Sequence, residues 1–330
     1  MNVTVCHSHQ QRCGVREYGL ALDKSLIAAG VELQVCSYDN FGDGIGAGKP
    51  GSILLVHYEP SLTTAWYLST YLRAARAKGM KTVLCCHLYD HAILSEYNGL
   101  VDRFVLHRSY PLRHVESTVI PLGCPVYVPP VNREELRVAY PFGSTVLTTI
   151  GFLTQWKKLH EIATAMLSAM EPHSSLFLHM HTPKPYYSDA SVENEETRLR
   201  HLFSSHRVGS RARLTTDFLH DTATLDIAHA ADVGFLYHPI HTNSVSAATK
   251  QFVSGRRPLV VTGSTHAWDL KGGVERVEGF DAWAFAHKAI MLALDREKRA
   301  RLEVEMQKEY DRMNMHAVAK EYIDLFRSLL

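Results

Sequence analysis

The sequence predicts an α/β protein made of two Rossmann-like halves. Short apolar strands alternate with helices over residues 3–121, and the same alternation restarts over residues 146–261. A proline-rich stretch without periodicity separates the two series.

In the first series, Val3–Cys6 reads as a strand, Val15–Ala29 as an amphipathic helix and Glu32–Cys36 as a strand. Ile53–His57 is a continuous apolar strand, and Leu62–Lys78 is a helix with Gly79 just past its end. Lys81–Cys86, Phe104–His107 and Thr118–Pro121 complete the set. Strands apolar on both faces imply a parallel sheet covered by helices on both sides. Residues 123–143, G-C-P-V-Y-V-P-P-V-N-R-E-E-L-R-V-A-Y-P-F-G, lose this pattern, so a linker is expected at 126–143 between domains of residues 1–125 and 144–310. The second series runs Val146–Gly151, Leu159–Met170, Leu176–Met180, Glu195–Ser205, Arg213–Thr216, Ala223–Ala230 and Val233–Tyr237, and it ends in a charged, helical C-terminus.

A chain of 330 residues is long enough for two well-buried cores. Its formal net charge of +1 gives no global argument for nucleic acid or for an acidic partner, although a local basic groove stays open. The 46% hydrophobic and 21% charged fractions are those of a soluble globular enzyme. The N-terminus has no basic segment followed by an apolar one, and no apolar run approaches the roughly 18–20 residues that span a bilayer. All six cysteines fall in the first 124 residues, with no C-x-x-C pair and with Cys85-Cys86 inside an apolar strand. Reduced, buried thiols in a cytoplasmic protein are expected.

Open parallel sheets bind ligands outside the carboxyl ends of their strands. The expected site therefore lies between the domains, lined by His7–Gly14, His57–Glu59, His87–His91, Gly151–Lys157 and His238–Lys250. Within residues 242–261 a polar loop with Ser244 and Ser246 runs into a helix-like segment carrying Lys250. Gly255 and Pro258 follow, then the strand Leu259–Val261. Loop, helix N-terminus, glycine and buried strand is an order that builds an anion site. The two serines serve equally as helix N-caps.

Several segments together resemble the family-4 glycosyltransferases of the GT-B fold. They are C-G-V-R-E-Y-G-L-A-L (13–22), V-H-Y-E-P (56–60), C-C-H-L-Y-D-H (85–91), V-I-P-L-G (119–123), G-F-L-T-Q-W-K-K (151–158) and H-A-A-D-V-G-F-L-Y-H-P (229–239). The resemblance covers nearly the whole chain in the right order. It implies two Rossmann-like domains facing a cleft, with a final helix over residues 311–330 crossing back to the N-terminal domain. It also implies a nucleotide-sugar co-substrate, retaining transfer to an acceptor, and no resident cofactor or metal. Gly14, Gly151, Lys157, Ser244, Ser246 and Lys250 would hold the donor. His87 and Glu59 would face sugar and acceptor as hydrogen-bonding groups or bases. The chain departs from the family where Phe152 follows the glycine in place of arginine, and where Thr242 and Lys250 stand in place of paired glutamates. Arg256 and Arg257 are candidates to replace the arginine, or form an exposed basic turn.

The acceptor is not legible: a glycan, a lipid, a small molecule or a modified DNA base all remain open. Two other readings stay open. His7, His9, His57, His87 and His91 follow strands of one sheet and would suit the metal of a hydrolase. A non-catalytic module that binds nucleotide or nucleic acid would fit the lost arginine and glutamates. The basic run H-R-V-G-S-R-A-R (206–213) reads as a solvated turn.

Overall fold

The computed structural model describes residues 1–8, 13–89, 91–110, 115–185, 189–241 and 244–330, with the backbone alone at His91, Ile93 and Asp221. The chain packs as two units. The first comprises Met1–Gly123, Asn243–Val245 and Met313–Leu330, and the second comprises Cys124–Thr242 and Ser246–Arg312.

In the first unit the strands are β1 (Asn2–His7), β2 (Glu32–Ser37), β3 (Ile53–Tyr58), β4 (Lys81–Cys86), β5 (Arg103–Leu106) and β6 (Ser117–Val119). They pair in parallel in the order β2-β1-β3-β4-β5-β6. The helices are α1 (Gly14–Ala28), α2 (Phe41–Ala47), α3 (Ala65–Ala77) and α4 (His91–Glu96). Every residue of β3 is buried, as a strand covered on both faces requires. Helix α3 starts three residues later than the apolar pattern suggests, because the Thr64 side chain accepts from the Tyr67 N–H and caps it there. It ends at Gly79, whose φ of +80° is open to glycine at little cost.

The second unit opens with α5 (Arg133–Leu136), followed by β7 (Thr145–Ile150), α6 (Leu159–Ala169), β8 (Leu176–His181), α7 (Ala190–Ser205), β9 (Ala212–Thr215), α8 (Asp221–Ala230) and β10 (Val233–Leu236). It continues with α9 (Ala247–Gly255), β11 (Leu259–Thr262), β12 (Val274–Val277), α10 (Ala282–Leu294) and α11 (Arg296–Met313). The parallel sheet has the order β12-β11-β10-β7-β8-β9. Counted from its own first strand this is the 3-2-1-4-5-6 order of dinucleotide-binding sheets, which reverses direction between β7 and β10. The core is made by α6, α10 and the sheet, with Leu147, Met166, Phe235 and Phe285 fully buried.

The final helix, α12 (Met315–Leu329), belongs to the first unit. Asn314 caps it by accepting from the Ala317 N–H, and it buries Met315, Val318, Ala319, Tyr322, Ile323 and Phe326 along one stripe. Its Tyr322 hydroxyl lies 3.4 Å from that of Tyr18 on α1. Among the described residues no helix is long and apolar enough to cross a membrane.

Residues 124–143 pack with the second unit, and one carboxylate does much of the holding. Arg133 and Arg137 reach Asp232 at 2.7 Å each, Arg299 reaches it at 3.0 Å, and the Val146 N–H donates to it at 2.7 Å. Burial works to raise the Asp232 carboxyl, but the arginines, Arg133 first, hold it below the usual carboxylate range. Its contribution to stability is therefore complete above the ordinary unfolded value of about 3.9 and is lost as pH falls through the lower folded value. Asp232→Asn should cost about 3–5 kcal/mol, measured by urea unfolding, and should flatten the acid limb of the stability curve.

Candidate functional site

The order reversal between β7 and β10 leaves a crevice at the carboxyl edge of the second sheet, lined by Gly151, Lys157, Thr182, Tyr237 and His238 among others. Gly151 follows β7 with φ +140°, a conformation that excludes side chains. A Cβ there would also sit 2.9 Å from the Lys157 Nζ and 3.6 Å from the Ala248 Cβ. Three groups thus converge on this glycine: the backbone after β7, the lysine, and the first turn of α9.

Lys157 donates from Nζ to the Phe152 carbonyl at 2.9 Å, and its ammonium lies 5.4 Å from the Trp156 ring centroid. Burial pushes its pKa down to about 8. Among the described residues no carboxylate neutralises it, so an anion arriving in the crevice meets a cation with weak local solvation. Around it Trp156, His238 and His266 form a parallel stack. The two imidazoles are 4.2 Å apart, and the indole lies 5.7 Å and 5.8 Å from them. Burial, then its neighbour His266, then Lys157 hold His238 well below the ordinary histidine range; burial followed by Lys157 takes His266 to about 4. Both rings are neutral and aromatic at pH 7.

The remaining expected donor residues fall differently. Ser246 occupies the N-cap of α9, but its hydroxyl makes no capping bond; its N–H donates to the His266 carbonyl at 2.9 Å. Ser244 is half-buried and groups with the first unit, and Thr242 lies outside the described residues. Lys250 is not presented to a ligand: it is buried and donates to Asp269 at 2.6 Å, with both side chains almost fully enclosed. Arg256 caps the Tyr127 and Ser254 carbonyls and lies over the Tyr310 ring, and Arg257 pairs with Glu303 at 2.9 Å. Neither replaces the missing arginine. Phe152, in that place, stacks on Phe218 with centroids 6.3 Å apart.

In the first unit Gly14 opens α1, and a Cβ there would meet nothing within 4 Å, so the protein's own packing does not demand this glycine. Glu59 follows β3 and accepts from the Ser61 N–H at 3.0 Å and from its hydroxyl. His87 lies within a row of imidazoles, between His57 and His107. His7 and His57 stack with centroids 5.0 Å apart, and the His57 Nδ1 is 3.3 Å from the His87 Nε2. The Cys85 Sγ is 3.7 Å from that Nε2, 3.6 Å from the His107 Nε2 and 3.1 Å from the Tyr322 hydroxyl. His7 is held at 2.6 Å by Asp23 of α1. Burial and neighbouring imidazoles, His107 and His7, put His87 well below the ordinary range, which makes it a weak proton acceptor at neutral pH. His9 and the His91 side chain lie outside the described residues. Cys85, His107 and Tyr322 were not expected at this edge. His107 ends an apolar strand as His57 does, whereas Tyr322 comes from 237 residues beyond Cys85 and left no local signal.

No family model and no curated protein matches the sequence. Solved structures match over the whole chain. A UDP-forming α,α-trehalose-phosphate synthase from Burkholderia xenovorans is 12% identical with a TM-score of 0.74, covering 99% of each chain. HepE of Anabaena, solved with UDP and glucose, is 11% identical with a TM-score of 0.75, covering 100% of each. Sucrose-phosphate synthase from Thermosynechococcus elongatus is 14% identical with a TM-score of 0.75, covering 100% of this chain and 99% of that one.

The buried Lys250–Asp269 pair is a structural element of this region, and removing one partner strands the other charge. Lys250→Ala should lower the free energy of unfolding by about 3–5 kcal/mol, and the double change Lys250→Met with Asp269→Leu should restore most of it. Urea unfolding of the three proteins checks this; a single variant as stable as the parent would show that the pair contributes nothing. With both sheets parallel, both order reversals in place and full-length likeness to these structures, the chain has the GT-B fold.

Proposed function

We propose that this protein is a glycosyltransferase that moves a sugar from a nucleotide-sugar donor to a hydroxyl acceptor with retention, and that no metal is needed at the donor diphosphate. The observation that carries this reading is Lys157, a partly desolvated ammonium that has no counter-charge among the described residues, at the order reversal of the second sheet next to Gly151 and the start of α9. HepE has been solved with UDP and glucose, and a trehalose-6-phosphate synthase with UDP-2-fluoro glucose, which supports a nucleoside-diphosphate sugar as donor. Retention is supported by the study of trehalose-6-phosphate synthase as a transferase that retains configuration.

In this reading the bond from the anomeric carbon to the diphosphate oxygen breaks while the acceptor oxygen bonds to the same face. The acceptor proton passes to the departing phosphate oxygen. Lys157 and the first-turn N–H groups of α9 stabilise the charge that develops on the leaving group. Gly151 keeps the backbone clear for the phosphates. Glu59 and Gly14 remain for the first unit, where acceptor recognition would fall. His87, with its lowered basicity, fits hydrogen bonding rather than proton abstraction.

Lys157→Ala should lower kcat by about 10²–10³ while melting temperature and circular dichroism stay at the parent's values. Near-normal turnover by that variant would remove the site assignment. Because the Lys157 ammonium loses its proton near pH 8, donor kcat/KM should decline as pH rises through about 8, and Lys157→Arg should abolish that decline. A thermal-shift screen against nucleotide sugars identifies the donor directly. A ligand at 100 times its Kd stabilises by about 2.7 kcal/mol, whereas a panel with no shift would count against the whole reading.

A further inference from the structure

The order of the first sheet also reverses, between β1 and β3, and the crevice there is filled by side chains of the protein itself. Parallel register sets His57 of β3 beside Cys85 of β4, and His7 of β1 follows the register Cys6–Val56 to lie level with His57. His87, two residues beyond Cys85, therefore falls on the same face. Helix α1 presses directly on this row: a Cβ at Gly19 would lie 2.3 Å from the His7 Nδ1 and 3.2 Å from the His57 ring.

The donor atoms of His57, Cys85 and His87 all lie within 4.8 Å of one another. An ion bound tetrahedrally, at about 2.0–2.1 Å from nitrogen and about 2.3 Å from sulfur, sets its nitrogens about 3.3–3.4 Å apart and nitrogen and sulfur about 3.6 Å apart. The edges here are 3.3 Å from His57 Nδ1 to His87 Nε2 and 3.7 Å from His87 Nε2 to Cys85 Sγ. Hydrogen bonding within the protein does not satisfy the cluster. Among the described residues the buried His57 Nε2 and His7 Nδ1 have no partner, and the Cys85 sulfur has the His87 and His107 imidazoles and the Tyr322 hydroxyl within reach. Burial first, then neighbouring histidines, keep the His57 and His87 imidazoles neutral, the form that ligates.

We propose that His57, Cys85 and His87 form a binding site for a zinc-like divalent ion in the first unit. Two imidazoles and a thiolate are a borderline-soft donor set that selects zinc over magnesium or calcium. On binding, Cys85 releases its thiol proton to solvent and the sulfur–metal bond forms, so uptake strengthens as pH rises. Three protein ligands leave one position for water or another oxygen ligand. The site stands in the first unit, apart from Lys157, and does not depend on the nature of the reaction.

The test is cobalt(II) titration of the chelator-treated full chain. One equivalent should produce thiolate-to-cobalt charge-transfer absorption, and zinc should abolish it. Cys85→Ser and Cys85→Ala should lose the band, and His57→Gln should weaken zinc binding by more than the roughly 10–100-fold that follows loss of an outer-shell partner. Cys6, Cys13, Cys36, Cys86 and Cys124 offer alternative thiolates, so a band that survives removal of Cys85 overturns the proposal. Should the Cys85 variants fail to fold, X-ray absorption at the zinc edge of the parent protein decides the matter. One sulfur at about 2.3 Å with two imidazole nitrogens at about 2.0–2.1 Å supports the site. A shell of oxygen alone, or no uptake in either experiment, overturns it.

Discussion

Because the strands of each sheet all run the same way, every chain segment that leaves a carboxyl end is delivered to one edge, and everything at the two sites depends on that. Where the order reverses, neighbouring segments depart to opposite faces and no crossover fills the gap. In the second unit the reversal falls between β7 and β10, so Gly151 and His238 arrive side by side although they are far apart in sequence. In the first unit it falls between β1 and β3, which brings His7 level with His57. The two edges are built alike and filled oppositely. One holds an ammonium that has no counter-charge among the described residues, while the other is packed with imidazoles, a thiol and the phenol of α12.

The same constraint governs how much of the fold was legible in the sequence. Strands buried on both faces must be continuous apolar runs, and β3 and β4 were located within a residue because such runs are bounded by glycine and proline. The edge strand β12 escaped, since V-E-R-V is half-buried along its length and reads as polar chain. Helix α2 escaped for another reason. Its F-G-D-G-I-G-A sequence opposes helix formation, yet Phe41 and Ile45 are buried and the Phe41 ring stacks on Tyr71 at 4.8 Å. Gly44 is required there because a Cβ would meet the Cys36 sulfur at 2.5 Å. Packing between elements overrides local preference, and no window of sequence reports it.

Site residues divide along the same line. The placement of Gly151 and Lys157 at the crevice was legible because both follow the end of a strand. Lys250 was not, because whether a lysine faces a ligand or a carboxylate depends on its partner. Asp269 stands 19 residues further on, past β11, and nothing in the spacing announces it. The two lysines now differ in kind. Lys250 shares its enclosure with a carboxylate, and its charge is balanced whether or not a ligand is present. Lys157 has burial and, among the described residues, no counter-ion, so its protonated form is less favoured than that of an exposed lysine until an anion arrives.

In the proposed reaction, that difference bears on how a single cation would serve a leaving diphosphate when phenylalanine occupies the place of an arginine. A helix N-terminus carries roughly half an elementary charge within its first turn. Helix α9 begins against Gly151, and α6 begins two residues after Lys157, at Leu159, with its second N–H already held by Glu195 at 2.8 Å. The α9 end therefore contributes about half a unit of positive potential at the crevice, whereas the Glu195 carboxylate offsets that of α6. This potential is fixed, needs no side chain to be ordered, and does not titrate. Lys157 supplies the part that does. A site built this way depends more steeply on pH than one with a guanidinium, because most of its positive field belongs to a group whose proton is lost near pH 8. The Phe152–Phe218 stack stands where a guanidinium would be. Burial of Lys157 strengthens the pull of its ammonium on an anion and is the physical origin of its lowered pKa.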